Sequence, residues 1–285
     1  MANTPTAAEL AAVENANASG RRPVVFVHGL WLLGSSWQRW ADFFEAAGYA
    51  PLTPGWPDDP ESVAAARSTP DAFAGKGVGD VADYLQAIIE RLGVQPILIG
   101  HSFGGLLVQI LAGRGLAAAT VAIDPAPSRG VLPLPISSLR ASLPVLGNPA
   151  NRKRAVTLTL DQFTYGFANA VSPEEARTLY ETFHVAAAGR PLFQAAVGNF
   201  NPRSETAADN MRADRGPLLV ISGERDNIVP WAIANATFKR QRRNTDAITE
   251  IVEIAGRGHS LTIDSGWAEV AQTSVDFIDR VLPTH

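Results

Sequence analysis

The chain has 285 residues, 46% hydrophobic and 18% charged, which is enough to bury one large core and far from the composition of a disordered protein. The formal net charge of −4 argues against nucleic-acid phosphates or anionic membranes as partners. The absence of cysteine excludes disulfides, thiolate metal ligands and a cysteine nucleophile. We see no signal peptide and no apolar stretch long enough to span a membrane, so we expect a cytoplasmic protein.

The first half of the chain alternates strands with helices. Residues 1–20 are polar and rich in alanine, which predicts a short helix or a loose N-terminal arm. "PVVFVH", from Pro23, is typical of a strand buried on both faces. An aromatic helix "SWQRWADFFEAAG", a strand "YAPLT" and the amphipathic helix "VGDVADYLQAIIERLG" follow. A strand "QPILIG", a helix over 103–113 and a strand "ATVAIDP" complete the pattern, which predicts a parallel sheet covered by helices on both faces.

The pattern then breaks and later returns. Residues 126–213 contain helical pieces, including "SPEEARTLYETFHVAAAG" with Ser172 as its N-cap, but no clear buried strand. Strand "GPLLVISG", helix "PWAIANATFKRQRR", strand "AITEIVEI" and a helix from Ser265 to Val281 follow. We therefore predict an α/β core formed by 21–125 and 214–285, with 126–213 inserted as a helical cap.

The stretch "ILIGHSFGGL" runs an apolar strand into a serine between glycines and then into a helix. Gly100-His-Ser102-Phe-Gly104 fits G-x-S-x-G, in which the glycines allow a strained turn that exposes the serine hydroxyl. The helix N-terminus after the serine favours developing negative charge. The strand before the motif and the helix after it make Ser102 a candidate nucleophile rather than a simple helix cap.

A nucleophilic serine needs a general base, and the chain offers five histidines. His259 follows a strand directly and lies in the glycine-flanked loop "GRGHS", which suits a presented imidazole. The other four are less suitable. We expect His101 to point away from the serine, His28 to shape the loop after the first strand and His184 to lie inside a helix of the insertion, and His285 is terminal.

The base needs an acidic partner that orients it and stabilises the imidazolium. Asp226, in "SGERDNIVP", follows a buried strand at the edge of the sheet where ligands collect in open α/β folds. Asp124, which ends "VAID", occupies the equivalent place one strand earlier and is the main rival. Glu224 is a weaker alternative, and Asp226 could instead only cap the following helix.

Acyl transfer also needs two hydrogen-bond donors for the oxyanion. The backbone N–H of Phe103, directly after the serine, is one candidate. The loop "HGLW" after the first strand offers the second, the N–H of Leu30, because Gly29 permits a tight turn. Trp31 is placed to line an acyl pocket, although packing in the core explains it nearly as well.

Four motifs together, "HGLW", "GHSFGG", "SGERDNIVP" and "GRGHS", resemble those of the α/β-hydrolase superfamily in order and spacing over residues 21–285. The resemblance implies a helical cap over a Ser102–His259–Asp226 triad that needs no metal or organic cofactor. That family usually has a β-hairpin before its first "HG" strand, and residues 1–20 show none. We therefore expect a reduced sheet of about six strands, mostly parallel.

The expected activity is hydrolysis of small to medium apolar carboxylic esters or lactones. Perhydrolysis, as in cofactor-free haloperoxidases, and cleavage of carbon–carbon bonds remain open, and a non-catalytic receptor is the alternative of another class. No arginine is in an obvious place to hold a substrate carboxylate, although Arg129 or Arg190 could. In "LDQFTYGF", the aromatic residues alternate and either line one pocket surface or form the core of the cap; they are Phe163, Tyr165 and Phe167.

Overall fold

The structure is a computed structural model that describes residues 4–282. Within that range the strands are β1 (Pro23–Val27), β2 (Ala50–Leu52), β3 (Ile97–His101), β4 (Ala119–Ile123), β5 (Ala155–Val156), β6 (Ala187–Ala188), β7 (Leu218–Gly223) and β8 (Thr249–Ile254).

The α-helices are α1 (Ala7–Ala18), α2 (Gln38–Ala46), α3 (Val63–Ser68), α4 (Val78–Ile89), α5 (Phe103–Gly113), α6 (Ile136–Leu146), α7 (Leu160–Gly166), α8 (Pro173–Phe183), α9 (Arg190–Val197), α10 (Trp231–Gln241) and α11 (Trp267–Val281). Short 3₁₀ helices cover Gly34–Trp37, Pro70–Phe73, Pro149–Lys153 and Gly198–Phe200. In the described part of the chain, none of these helices has the length and apolar character needed to cross a bilayer.

Six strands form one parallel sheet in the order β2-β1-β3-β4-β7-β8, which confirms the predicted sheet. After β1 the next strand, β2, is added at one edge of the sheet. From β3 onward, β4, β7 and β8 are added toward the opposite edge. The boundary between β1 and β3 is therefore the switch point of the topology, where ligands bind beyond the carboxyl ends of the strands. The loop after β1 and the turn after β3 meet at this boundary.

Both faces of the four central strands, β1, β3, β4 and β7, are buried, and single strands contribute side chains to both cores. In β1, Val24 and Phe26 face α2 and α11, whereas Val25 and Val27 face α4 and α5. The ring of Phe26 lies 5.2 Å from that of Trp37. Burial on both faces explains why these strands are continuous apolar runs without polar alternation.

Residues near the N-terminus form a helix packed on the core. The Thr6 hydroxyl and the Glu9 carboxylate cap α1 reciprocally. The same carboxylate accepts hydrogen bonds from the Gly55 N–H at 3.2 Å and the Tyr84 hydroxyl at 2.5 Å. Val13 is buried in the core. The sequence left open a short helix or a loose arm for this segment, and the structure shows the helix, between Ala7 and Ala18.

The insertion between β4 and β7 contains α6 to α9 and a small antiparallel pair, β5 with β6. Ala187 and Ala188 of β6 are buried, so the expectation of no buried strand there was wrong. Two-residue strands are too short to show a periodic pattern.

Helix α8 begins as predicted, since the Ser172 hydroxyl accepts the Glu175 N–H at 3.1 Å. It ends at Phe183, so the prediction that His184 lies inside the helix was wrong. The Arg67 guanidinium explains the end of the helix. It donates to the backbone carbonyls of Tyr180 and His184 and so ties the insertion to the core.

Candidate active site

Ser102 lies in the sharp turn between β3 and α5, with φ of 57° and ψ of −120°. Such a backbone is strained for a residue with a side chain. The residues two before and two after Ser102 must be glycines. A Cβ at Gly100 would overlap the Gly104 carbonyl, and one at Gly104 would overlap the Val27 carbonyl of β1. Ser102 is 6% exposed. The strained turn and the two packed glycines are the geometry that the sequence motif predicts.

The loop after β1 packs directly on this turn. A Cβ on Gly29 would lie 2.8 Å from Cβ of Ser102 and 3.4 Å from the backbone nitrogen of Phe103. Leu30 and Trp31 continue the loop, and Trp31 has a positive φ of 65°. The backbone segments that carry the Leu30 and Phe103 N–H groups are thus brought together beside Ser102.

His259 and Asp226 form a buried pair. Nδ1 of His259 lies 2.6 Å from Oδ2 of Asp226, and both side chains are completely buried. The second carboxylate oxygen of Asp226 accepts the backbone N–H groups of Ile228 at 2.6 Å and Val229 at 2.9 Å. Within residues 4–282, the other ring nitrogen, Nε2 of His259, has no hydrogen-bond partner. The imidazole is therefore oriented through Nδ1, and its Nε2 is unbonded among the described residues.

Asp124, the rival acid, is hydrogen-bonded to Asp226 and also holds a backbone group. It ends β4 with φ of 39°, and its Oδ1 accepts the Gly223 N–H at 2.8 Å. Burial, reinforced by the neighbouring charge of Asp226, raises the pKa of Asp124 well above its usual value. A carboxyl group that keeps its proton stabilises an imidazolium poorly. The third acid, Glu224, is exposed and accepts the Gly256 N–H.

His101 is part of this cluster. The sequence predicts that it points away from Ser102, and in the structure its ring centroid lies 4.5 Å from that of His259. Complete burial, followed by the effect of His259, lowers the pKa of His101 well below its usual value. A neutral imidazole therefore packs against the candidate base. In the sheet, His101 is paired with Ile123, so the ends of β3 and β4 bring His101 next to Asp124.

The candidate pocket residues separate into two groups. Phe163 of α7 and Phe167, which directly follows that helix, stack with ring centroids 5.0 Å apart, and the Phe167 ring lies 4.9 Å from the His259 ring. Trp31 contacts Phe167 at 5.9 Å. Tyr165 lies beneath the Arg140 guanidinium instead. The interpretation that Phe163, Tyr165 and Phe167 line one surface is wrong, because a helical turn aligns residues four apart in the chain rather than two apart.

The remaining histidines and arginines have other contacts. His28 bonds to Gly29, His184 packs on Tyr180, and His285 lies outside the described residues. Arg190 pairs with Asp80 at 2.9 Å and with Glu205 at 3.2 Å. Arg129 donates to the backbone carbonyl of Pro202. Neither guanidinium contacts Ser102 or His259 in the part of the chain that is described.

One group of side chains between residues 4 and 282 has the composition of a metal site. Ligand atoms of His101, Asp124 and His259 lie within 4.8 Å of one another. Asp226 already occupies one nitrogen of His259, and the raised pKa of Asp124 disfavours its charged form, so the group is poorly suited to a cation. These residues fit an acid–base cluster better than a resident metal.

A family model described as "Alpha/beta hydrolase family" matches residues 24–273. The chain therefore belongs to the α/β-hydrolase family. No curated protein matches it significantly.

Solved structures share the fold over most of their length. A monoacylglycerol lipase of Paleococcus ferrophilus is 22% identical with a TM-score of 0.62, covering 90% of this chain and 93% of its own. A thermophilic esterase of Thermogutta terrifontis is 18% identical with a TM-score of 0.62, covering 91% and 90%. A protein provisionally assigned as a non-heme bromoperoxidase of Mycobacterium tuberculosis is 17% identical with a TM-score of 0.62, covering 92% and 93%. At these identities the likeness is one of fold.

Proposed function

We propose that this protein is a serine hydrolase that cleaves carboxylic esters of small to medium apolar substrates through an acyl-enzyme. The observation that carries the proposal is the buried His259–Asp226 pair, 2.6 Å apart, at the sheet edge where the strained turn presents Ser102. The lipase and esterase with the same fold support the reaction class.

In the proposed reaction, Ser102 Oγ attacks the ester carbonyl carbon and gives its proton to Nε2 of His259. Asp226 holds the proton on Nδ1 and stabilises the imidazolium. The Leu30 and Phe103 N–H groups bind the oxyanion of the tetrahedral intermediate. His259 then protonates the departing alkoxide, which leaves as an alcohol. Water, deprotonated by the same imidazole, hydrolyses the acyl-enzyme and restores Ser102.

The apolar surroundings support the substrate class. Phe167 packs on the edge of the His259 ring, and Trp31 contacts Phe167. Such walls bind an acyl or alcohol group through apolar area rather than charge. A lactone meets the same requirements as an open ester. Perhydrolysis would use the same triad with hydrogen peroxide in place of water.

The other candidate reactions have less support. Cleavage of carbon–carbon bonds in acidic substrates needs a cation for the carboxylate, and the charge of Arg190 is already paired with Asp80 and Glu205. A receptor without catalysis would not need an oriented imidazole with a nitrogen left unbonded.

The test is release of p-nitrophenol from esters of increasing acyl length, together with labelling by a fluorophosphonate. We expect wild type to be active and labelled, and Ser102→Ala to lose both. Ser142→Ala is the matched control, since that hydroxyl donates only within its own helix, to the Ser138 carbonyl. A folded wild-type chain that neither hydrolyses any ester nor takes the label would favour the receptor. Labelling without ester turnover would favour a different reaction at Ser102.

A further inference from the structure

The imidazole of His28 contacts the backbone of the loop that packs on Ser102. Its Nδ1 lies 2.8 Å from the Gly29 carbonyl oxygen, and His28 is 3% exposed. A carbonyl oxygen only accepts, so Nδ1 carries the proton and donates it. The Gly29 carbonyl and the Leu30 N–H belong to one planar peptide unit and point in opposite directions. The hydrogen bond from His28 therefore also sets the direction of the Leu30 N–H.

This peptide unit needs such a restraint. Glycine accepts both negative and positive φ, so Gly29 by itself does not select one orientation of the peptide that follows it. Trp31, just beyond, has a φ of 65°, which is unfavourable for a residue with a side chain. An oxyanion donor contributes only when it is aimed before the charge develops.

The His28 ring is itself held from several sides. Its Nε2 lies 3.1 Å from Oδ2 of Asp59 in a contact that is not a hydrogen bond, and the other carboxylate oxygen is 3.8 Å from Nζ of Lys76. Trp56 stacks on the ring at 5.6 Å, and its indole N–H donates to the His28 carbonyl at 3.2 Å. The Trp56 backbone N–H donates to Asp59 at 2.9 Å. Asp59, Trp56 and His28 thus form one buried cluster that packs against the loop.

We propose that His28 is a positioning residue that aims the Leu30 N–H at the developing oxyanion by holding the Gly29 carbonyl. The inference rests on the proposed function, because it assigns His28 a role only if an oxyanion forms at Ser102. His28 touches neither substrate nor reacting atoms. Its effect passes through one peptide unit.

The test compares His28→Ala with His28→Asn and His28→Gln. The Asn side-chain nitrogen can occupy the place of Nδ1 and donate to Gly29, whereas that of Gln reaches toward Asp59 instead. The readouts are kcat and KM for p-nitrophenyl butyrate, per serine titrated with a fluorophosphonate, and the Ki of phenylboronic acid. A tetrahedral boronate places an oxygen where the oxyanion forms.

We expect His28→Ala to lower kcat by about 10- to 100-fold, less than the roughly 10²–10³ that loss of a whole donor costs, with KM nearly unchanged. Boronate affinity should fall by a similar factor. His28→Asn should recover most of kcat and His28→Gln should not, a contrast that remains if the alanine variant fails to fold. Asn244→Ala is the control, because it removes a buried hydrogen bond to the Arg212 carbonyl, away from the loop, and should change thermal stability but not kcat.

A purely structural role would lower the melting temperature of His28→Ala and leave kcat per titrated serine unchanged. That result, or equal activity of the Asn and Gln variants, would overturn the inference while the proposed function stands. A wild-type chain inert toward both ester and label would overturn both.

Discussion

Nδ1 of His259 lies 2.6 Å from Oδ2 of Asp226, although 33 positions separate the two residues in the chain. Both side chains are completely buried, and the carboxylate is further held by two backbone N–H groups. Asp124 lies close by with a raised pKa and its own bond to Gly223. The two carboxyl groups therefore differ in the groups that they bond, because Asp226 contacts His259 whereas Asp124 accepts the Gly223 N–H.

Replacing each carboxyl by an amide should separate their roles. Asp226→Asn removes the charge that orients and stabilises His259, and we expect kcat for p-nitrophenyl esters to fall by roughly 10⁴-fold. Asp124→Asn copies an uncharged acid and preserves the acceptor for Gly223, so we expect kcat within about threefold of wild type. Steady-state kinetics on both variants measures this. The reverse order of effects would make Asp124 the acid of the triad.

Asp124 should also make stability depend on pH. An aspartate in the unfolded chain loses its proton near about pH 4, whereas buried Asp124 keeps its proton to higher pH. The folded state then binds more protons, so this group lowers the free energy of unfolding progressively as pH rises above about 4. Asp124→Asn does not titrate, and asparagine tolerates the positive φ.

Urea unfolding at several pH values checks this. The stability of Asp124→Asn relative to wild type should increase between pH 4 and pH 8. A constant difference across that range would mean that Asp124 is ionised in the folded protein.

His184 should act in the opposite sense. Burial, with a smaller effect from Arg67, lowers the pKa of His184 to about 4. Its Nε2 accepts the Leu158 N–H at 3.2 Å, which requires the neutral ring. The unfolded chain takes up a proton near about pH 6.5, so stability is lost as pH falls from about 6.5 to about 4, by up to about 3 kcal/mol.

The matched variant is His184→Gln, which keeps a side-chain acceptor and cannot titrate in this range. We expect the difference in unfolding free energy between pH 7 and pH 4.5 to be smaller in the variant than in wild type. Identical pH dependence of the two proteins would show that His184 is protonated without cost.

Glycine-to-alanine substitutions should report on the packing of the turn. A Cβ at Gly104 would overlap the Val27 carbonyl, and backbone cannot move aside cheaply, so Gly104→Ala should lose more than about 3 kcal/mol or fail to fold. At Gly93 the nearest atom, Asn17 Oδ1, is 3.6 Å away, so Gly93→Ala should be within about 0.5 kcal/mol of wild type. Thermal and urea denaturation compare the two. Equal stabilities would contradict the close approach of α5 to β1.

Local motifs indicated Ser102, His259 and Asp226 because each follows a strand in a turn of recognisable chemistry. The α7 aromatics show where such reasoning ends. Phe163, Tyr165 and Phe167 alternate in the sequence, which suggested one surface. The segment is helical instead, so Tyr165 lies on another side from Phe163 and Phe167. The contact of His101 with His259 could not be read from the sequence either, because it depends on the loop after β8, which is remote in sequence.

By itself the sequence determined the parallel sheet, the strained turn at Ser102 and the order of the polar residues at the strand ends. These follow from apolar runs, helix periodicity and glycine positions, which act over a few residues. The tertiary structure alone decided which carboxyl group bonds to His259, why the pKa of Asp124 is raised, and which aromatic residues surround the imidazole. Hydrogen bonds and pKa values depend on distances and burial between segments that only the packed fold brings together.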